Sequence, residues 1–305
     1  MIAYRPLIDL RQAQQLWNEE AGWMYPISDE LFLQNAIHYP HLLAFGAYDR
    51  EKLVGFLLGK ICEEPNLPSY RDKAWISLFY TCKKYRRLGI ASSLFNQFET
   101  AVKDRAEILI GRDPYNFFPG VPVDFDALTD RFLEKRGYSG VRYTHDVINY
   151  APQDYPIINQ DINYHVLNPL EKQDLLDLVK TFGERWYYEV DDYFKQGGTG
   201  KEFVVGTDNG KMIAFARIHD GTYPTLFYNV NWSPRFTKLG GIGPLGVDSE
   251  YRKKQIGYDI VSFAIQTLKQ RGRQTMIIDW TSILGFYQLF GFEVWKSYKY
   301  MSKKA

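Results

Sequence analysis

Leu78-Phe79-Tyr80-Thr81-Cys82-Lys83-Lys84-Tyr85-Arg86-Arg87-Leu88-Gly89-Ile90-Ala91 is a short apolar run, a polar turn, a Tyr-Arg pair and a basic loop that opens into an amphipathic helix. The plan returns at Pro244-Leu245-Gly246-Val247-Asp248-Ser249-Glu250-Tyr251-Arg252-Lys253-Lys254-Gln255-Ile256-Gly257. A strand that feeds a basic loop into a helix start is built for anions. The first amide hydrogens of the helix have no internal acceptor, and the positive end of its dipole lies there.

The surroundings repeat as well. Ile90, Leu94, Phe98 and Ala101 share one face of the first helix, and Ile256, Ile260, Ala264 and Leu268 one face of the second. That spacing predicts a helix lying on a sheet. Upstream, a strand over 2–7 and a helical stretch over 10–38 precede a hairpin of 42–48 with 53–61. In the second half a strand over 164–167 and a helical stretch over 170–194 precede a hairpin of 203–206 with 212–218. Its Asn209-Gly210 turn tolerates the positive φ of a tight hairpin. Downstream, Phe132-Leu133 ahead of Gly137-Tyr138 matches Phe286-Tyr287 ahead of Gly291-Phe292. The halves lie about 160 residues apart, a domain rather than a solenoid repeat. Domains over 1–152 and 160–305 are expected, with the break in the proline-bearing stretch 151–162.

Composition bounds the rest. The chain has 305 residues, 45% hydrophobic and 24% charged, with a formal net charge of +1. This is a folded chain without a bulk field for nucleic acid or anionic membrane. The N-terminus does not read as a signal peptide, and the expected location is cytoplasmic. Cys62 and Cys82 give neither a disulfide framework nor a zinc set, so reduced thiols are expected. His38 and His41 are separated by Pro40, and no metal site is expected.

Arg86-x-x-Gly89-x-Ala91 resembles the Arg/Gln-x-x-Gly-x-Gly/Ala loop of the GNAT N-acetyltransferase superfamily. Arg252 to Gly257 is similar, with Gln255 at the first glycine. Phe286-Tyr287 and Gly291-Phe292 resemble the end of the same fold. The resemblance implies an α/β fold (α+β mixed sheet) of two tandem GNAT-like acyl-CoA N-acyltransferase domains, an arrangement similar to mycothiol synthase. It implies acetyl-CoA as donor and direct attack by a primary amine of a small molecule or peptide. The coenzyme diphosphate would meet Arg86, Arg87, Leu88, Gly89, Ile90 and Ala91, or Arg252, Lys253, Lys254, Gln255, Ile256 and Gly257. The pantetheine arm would pair with the strand edge at Phe79, Tyr80 and Thr81, or at Leu245, Gly246 and Val247.

Tyr287 matches the family tyrosine that protonates the leaving thiolate, and Leu133 takes its place in the first copy. Chemistry is therefore expected in the second domain. Asp279 is a candidate base there, direct or through water, ahead of Glu189 and Asp191. Phe117 and Phe118 are expected to dock against the other domain rather than roof a pocket. Two alternatives stand beside the enzyme: a non-catalytic acyl-CoA-binding protein, and a tRNA-dependent aminoacyl transferase. The near-zero charge and the absence of a helical-arm insertion count against the second of these.

Overall fold

The paired apolar runs of each half fold into hairpins in a computed structural model of the chain, which describes residues 1–221, 225–226 and 231–304. In chain order the first elements are β1 (Ile2–Pro6), α1 (Arg11–Glu20), α2 (Asp29–Phe32), β2 (Leu42–Asp49) and β3 (Lys52–Ile61). Then come β4 (Lys73–Thr81), α3 (Ile90–Ala101), β5 (Glu107–Ile110), β6 (Val121–Pro122) and α4 (Ala127–Lys135). The second half runs β7 (Tyr143–Asn149), β8 (Asn163–Val166), α5 (Lys172–Lys180), α6 (Glu184–Lys195), β9 (Phe203–Asp208) and β10 (Lys211–His219). It ends with β11 (Leu239–Val247), α7 (Ile256–Gln270), β12 (Thr275–Thr281), α8 (Leu284–Gln288), β13 (Glu293–Lys299) and β14 (Met301–Lys304).

Both long helical expectations are interrupted. The first breaks after Glu20, in a stretch holding Gly22 and Pro26. The second breaks at Gly183, whose φ of 131° no helix accepts. The Asn209-Gly210 turn has φ of 47° and 82°, the double positive that a two-residue hairpin needs.

The chain divides into two units, Met1–Thr144 with Lys296–Ala305, and His145–Trp295. The first holds a sheet in the order β1-β2-β3-β4-β5-β14. Only β4 and β5 run parallel, with Lys73 to Ile76 opposite Glu107 to Ile110. The second repeats this with β8-β9-β10-β11-β12-β7, and β11 and β12 are its parallel pair. β10 is buried along nearly its whole length, as a strand covered on both faces must be. Val204, Ile213 and Ile218 pack with α7 residues, whereas Phe203, Val205 and Phe215 pack with Leu175, Val179 and Tyr193 of α5 and α6.

The unit limits differ from the expected breaks at 152 and 160 because two strands complete sheets far from their neighbours in sequence. β14 closes the edge of β5, Met301 opposite Ile110 and Lys304 opposite Glu107. β7 closes the edge of β12, Asn149 opposite Met276. A fragment of residues 1–152 therefore keeps the apolar edge Ile108-Leu109-Ile110 unpaired, a template for aggregation. Such a fragment is expected to express insoluble. Recovery of a soluble monomer with native circular dichroism would contradict this role for β14.

Candidate active site

In both units the parallel pair separates at the same point. In the first, Leu58 faces Leu78 and Gly59 faces Ile76, so Ser77 is an extra residue that bends β4 away from β5. In the second, Ala216 faces Leu245 and Ile218 faces Ile242, with Gly243 and Pro244 in the bulge. Beyond Ile76 and Ile242 the two strands run on without their parallel neighbour, through Phe79 and Thr81 in one unit and Leu245 and Val247 in the other. This open edge is where an extended ligand arm can pair through main-chain groups.

The strands then enter matching turns. Tyr85 Oη donates to Asp49 at 2.8 Å, and Tyr251 Oη to Asp208 at 2.8 Å, so each turn is tied to its hairpin. Arg86 Nε donates to Thr81 O and Arg252 Nε to Val247 O, both at 3.3 Å. Arg87 and Lys253 have φ of 64° and 63°, and Gly89 and Gln255 have φ of 79° and 64°. Alternation of left-handed and ordinary conformations turns successive amide hydrogens into one concavity, the geometry of an anion nest. The Ile90 and Ile256 side chains are core, leaving their main chain to the turn.

The left-handed position explains the glycine of the first loop and the oddity of the second. A Cβ at Gly89 would meet nothing within 4 Å, so the requirement is conformational and not steric. Gln255 accepts the same conformation at a cost of roughly 1–2 kcal/mol. Its side chain is exposed.

Where the second strand pair parts, Asp279 lies close enough to Tyr287 for its charge to act on the phenol. Asp279 follows Ile278, the last residue paired with β11, and its Oδ1 would lie 3.5 Å from a Cβ on Gly243. Gly243 therefore lies beside that carboxylate, in the bulge of β11. Tyr287, on α8, is 5% exposed, and its phenol is held well above the ordinary range by burial first and then by the Asp279 charge. It therefore stays protonated and can act as a donor.

The first unit lacks both groups. Gly111 follows Ile110 at the place of Asp279, and Leu133 stands for Tyr287 with the same turn hydrogen bond, Tyr138 N to Leu133 O against Phe292 N to Tyr287 O. What it has is a cavity of about 310 Å³ along β4, under Phe118, Phe125 and Phe132 and beside Arg86 and Ala91. Phe118 lines this cavity and Phe117 packs on Phe32, so both rings are used within their own unit. Sequence reasoning missed Asp126 and the side-chain role of Tyr80. Asp126 bonds Arg86 at 2.7 Å, and the Tyr80 hydroxyl accepts from Arg86 at 3.2 Å. Burial pushes the Tyr80 phenol up to about 12.

Other expected residues divide. Glu189 is 9% exposed and accepts from Arg185 at 2.8 Å, while the Arg185 guanidinium stacks over Trp280 at 4.5 Å. Asp191 pairs with Lys195 along its own helix. Cys62 and Cys82 are buried free thiols. Among the described residues no His, Cys, Asp or Glu cluster could hold a metal ion, and no helix is long and apolar enough to cross a membrane.

The profile of the acetyltransferase (GNAT) family matches residues 9–116 and again 168–292. No curated protein matches the chain. Among solved structures, a GCN5-related glucosamine N-acetyltransferase region of a fungal multi-domain GH3 β-N-acetylglucosaminidase is 24% identical with a TM-score of 0.86. The match covers 99% of this chain and 38% of that one, so the chain spans well under half of that protein. A GCN5-related N-acetyltransferase from Sphaerobacter thermophilus is 15% identical with a TM-score of 0.73, covering 99% of this chain and 95% of that one. A tandem GNAT protein from the clavulanic acid biosynthesis pathway is 13% identical with a TM-score of 0.70, covering 100% and 98%. These likenesses concern the fold.

Proposed function

Because the chain belongs to the GNAT acetyltransferase family, we propose that its second unit transfers an acetyl group from acetyl-CoA to a primary amine. One observation carries the reading. Asp279 follows the last paired residue of β12 at the parting from β11 and acts electrostatically on Tyr287, and the first unit has Gly111 and Leu133 in their places.

The residues fit the donor. The left-handed turn over 252–257 offers amide hydrogens, the start of α7 and three exposed cationic side chains to a diphosphate. The open edge of β11 over Leu245–Val247 offers main-chain pairing to the pantetheine arm. Asp279 takes a proton from the acceptor ammonium, directly or through water, so that a neutral amine can attack the thioester carbon. The amide bond forms as the carbon–sulfur bond breaks, and the Tyr287 hydroxyl faces the departing thiolate as donor.

The test is release of free thiol from acetyl-CoA with a panel of amines. Glucosamine heads the panel because a structurally similar region is a glucosamine N-acetyltransferase. Replacing Asp279 with Asn is expected to lower kcat/KM by about 100-fold, the usual worth of a positioned base. The loss should shrink as pH rises and more of the amine becomes neutral in solution. An Asn variant as active as the parent at neutral pH would remove Asp279 from the mechanism.

A further inference from the structure

The two turns share a backbone but differ in what their arginines do. Arg86 is committed three times: Nε to Thr81 O, Nη1 to Asp126 at 2.7 Å and Nη2 to the Tyr80 hydroxyl at 3.2 Å. Tyr80 is itself braced by Glu20 at 3.2 Å. Arg252 keeps only the first of these bonds, to Val247 O, and among the described residues it has no ion pair. Both extra partners of Arg86 are missing from the second unit for visible reasons. Strand register places Gly246 where the first unit has Tyr80. The carboxylate comes from extra helix. α4 has 9 residues and α8 has 5, and the added first turn of α4 starts at its N-cap, Asp126. One carboxylate oxygen caps Leu128 N at 2.9 Å and the other reaches Arg86.

We propose that Asp126 stands in for the coenzyme diphosphate in the first unit and so confines coenzyme to the second. This rests on the reading of the turns as diphosphate sites. A diphosphate arriving at the first turn would find Arg86 neutralised, with only Arg87 left as a cation of the turn itself, and a fixed negative charge beside it, in a cavity that Arg86 and Asp126 both line. Like charges set against each other at close range oppose binding strongly. The rest of the cavity is retained, so the unit is closed by one ion pair rather than by collapse.

The experiment is calorimetric titration of the full chain with coenzyme A. One site per chain is expected for the parent and two for Asp126→Asn, with affinity for the first unit raised at least tenfold. Asn is as good an N-cap as Asp. The pair is also partly exposed, at 32% and 23%, so its loss costs the fold little. Asp126→Ser, also a capping residue, provides a second test of the same charge. Two sites in the parent, or one site in both folded variants, would overturn the role of Asp126. No binding in the parent would instead overturn the reading of the turns themselves.

Discussion

Tyr287→Phe is expected to lower kcat by about 100-fold or more while leaving coenzyme affinity and stability unchanged. The ring is the structural part of this residue. It packs on Phe286 and Phe292 with centroids 5.1 and 6.3 Å apart, and Phe preserves that packing. The hydroxyl is not required by the local turn, since Leu133 closes the equivalent turn of the first unit with the same backbone bond and is fully buried. The proposed function assigns the hydroxyl to the reaction, beside Asp279, whose charge acts on it. A free thiol ionises near about 8.5, well below the raised range of this phenol. Full proton transfer to the thiolate is thus uphill. On the proposed mechanism Tyr287 would act mainly by a hydrogen bond that strengthens as sulfur gains charge, with net proton delivery completed from solvent. Two consequences follow. The variant should lose kcat and kcat/KM together, the mark of an interaction made in the transition state. The parent should show no alkaline loss of activity from Tyr287 ionising at or below pH 10. A variant with unchanged turnover would return the residue to a packing role.

The doubled plan was readable because it is written in short-range chemistry. Asn209-Gly210 needs only its own backbone preference to turn the hairpin. Ile256, Ile260, Ala264 and Leu268 need only helical spacing to find the core, where all four are buried. Tyr287 was within reach of a motif, and Asp279 of its place at the end of an apolar run, eight residues earlier. Less legible was whatever depends on a distant partner. β14 is a four-residue strand, and nothing in Met301-Ser302-Lys303-Lys304 names β5 as its neighbour. Asp126 meets Arg86 across 40 residues, and nothing in the sequence pattern names that partner. The two broken helices were avoidable errors, since Pro26 and Gly183 are breakers in plain view. One signal was present and unused. Lys60 closes the apolar run Leu53-Val54-Gly55-Phe56-Leu57-Leu58-Gly59 of a central strand, where a charge must find a partner.

That partner supports the second large effect. Lys60→Met is expected to destabilise the first unit by about 3–5 kcal/mol, the range for removing one member of a buried ion pair. Lys60 and Asp113 have fully buried side chains with Nζ 2.6 Å from Oδ2. Nζ also donates to the carbonyls of Pro114 and Tyr115 at 3.2 and 2.8 Å, and it lies 4.5 Å from the Tyr39 ring centre. Ser77, the bulge residue of β4, donates to the same carboxylate oxygen at 2.5 Å. One ammonium therefore holds the segment after β5 and, through Asp113, the bend that parts β4 from β5. Met fills the volume but supplies none of these bonds, so the carboxylate stays buried without its cation. Lys60→Met with Asp113→Leu should recover most of the loss, because two apolar groups leave no uncompensated charge, although Ser77 and the two carbonyls still lose partners. The second unit shows that the position does not demand a charge. Register places His219 opposite Gly241 as Lys60 stands opposite Trp75, and burial, with Arg217 beside it, drives that imidazole far toward neutral. Urea unfolding followed by amide exchange on β4 would separate the first unit from the second. A single-variant loss below about 1 kcal/mol, the scale of an exposed pair, would show that Asp113 finds its stabilisation elsewhere.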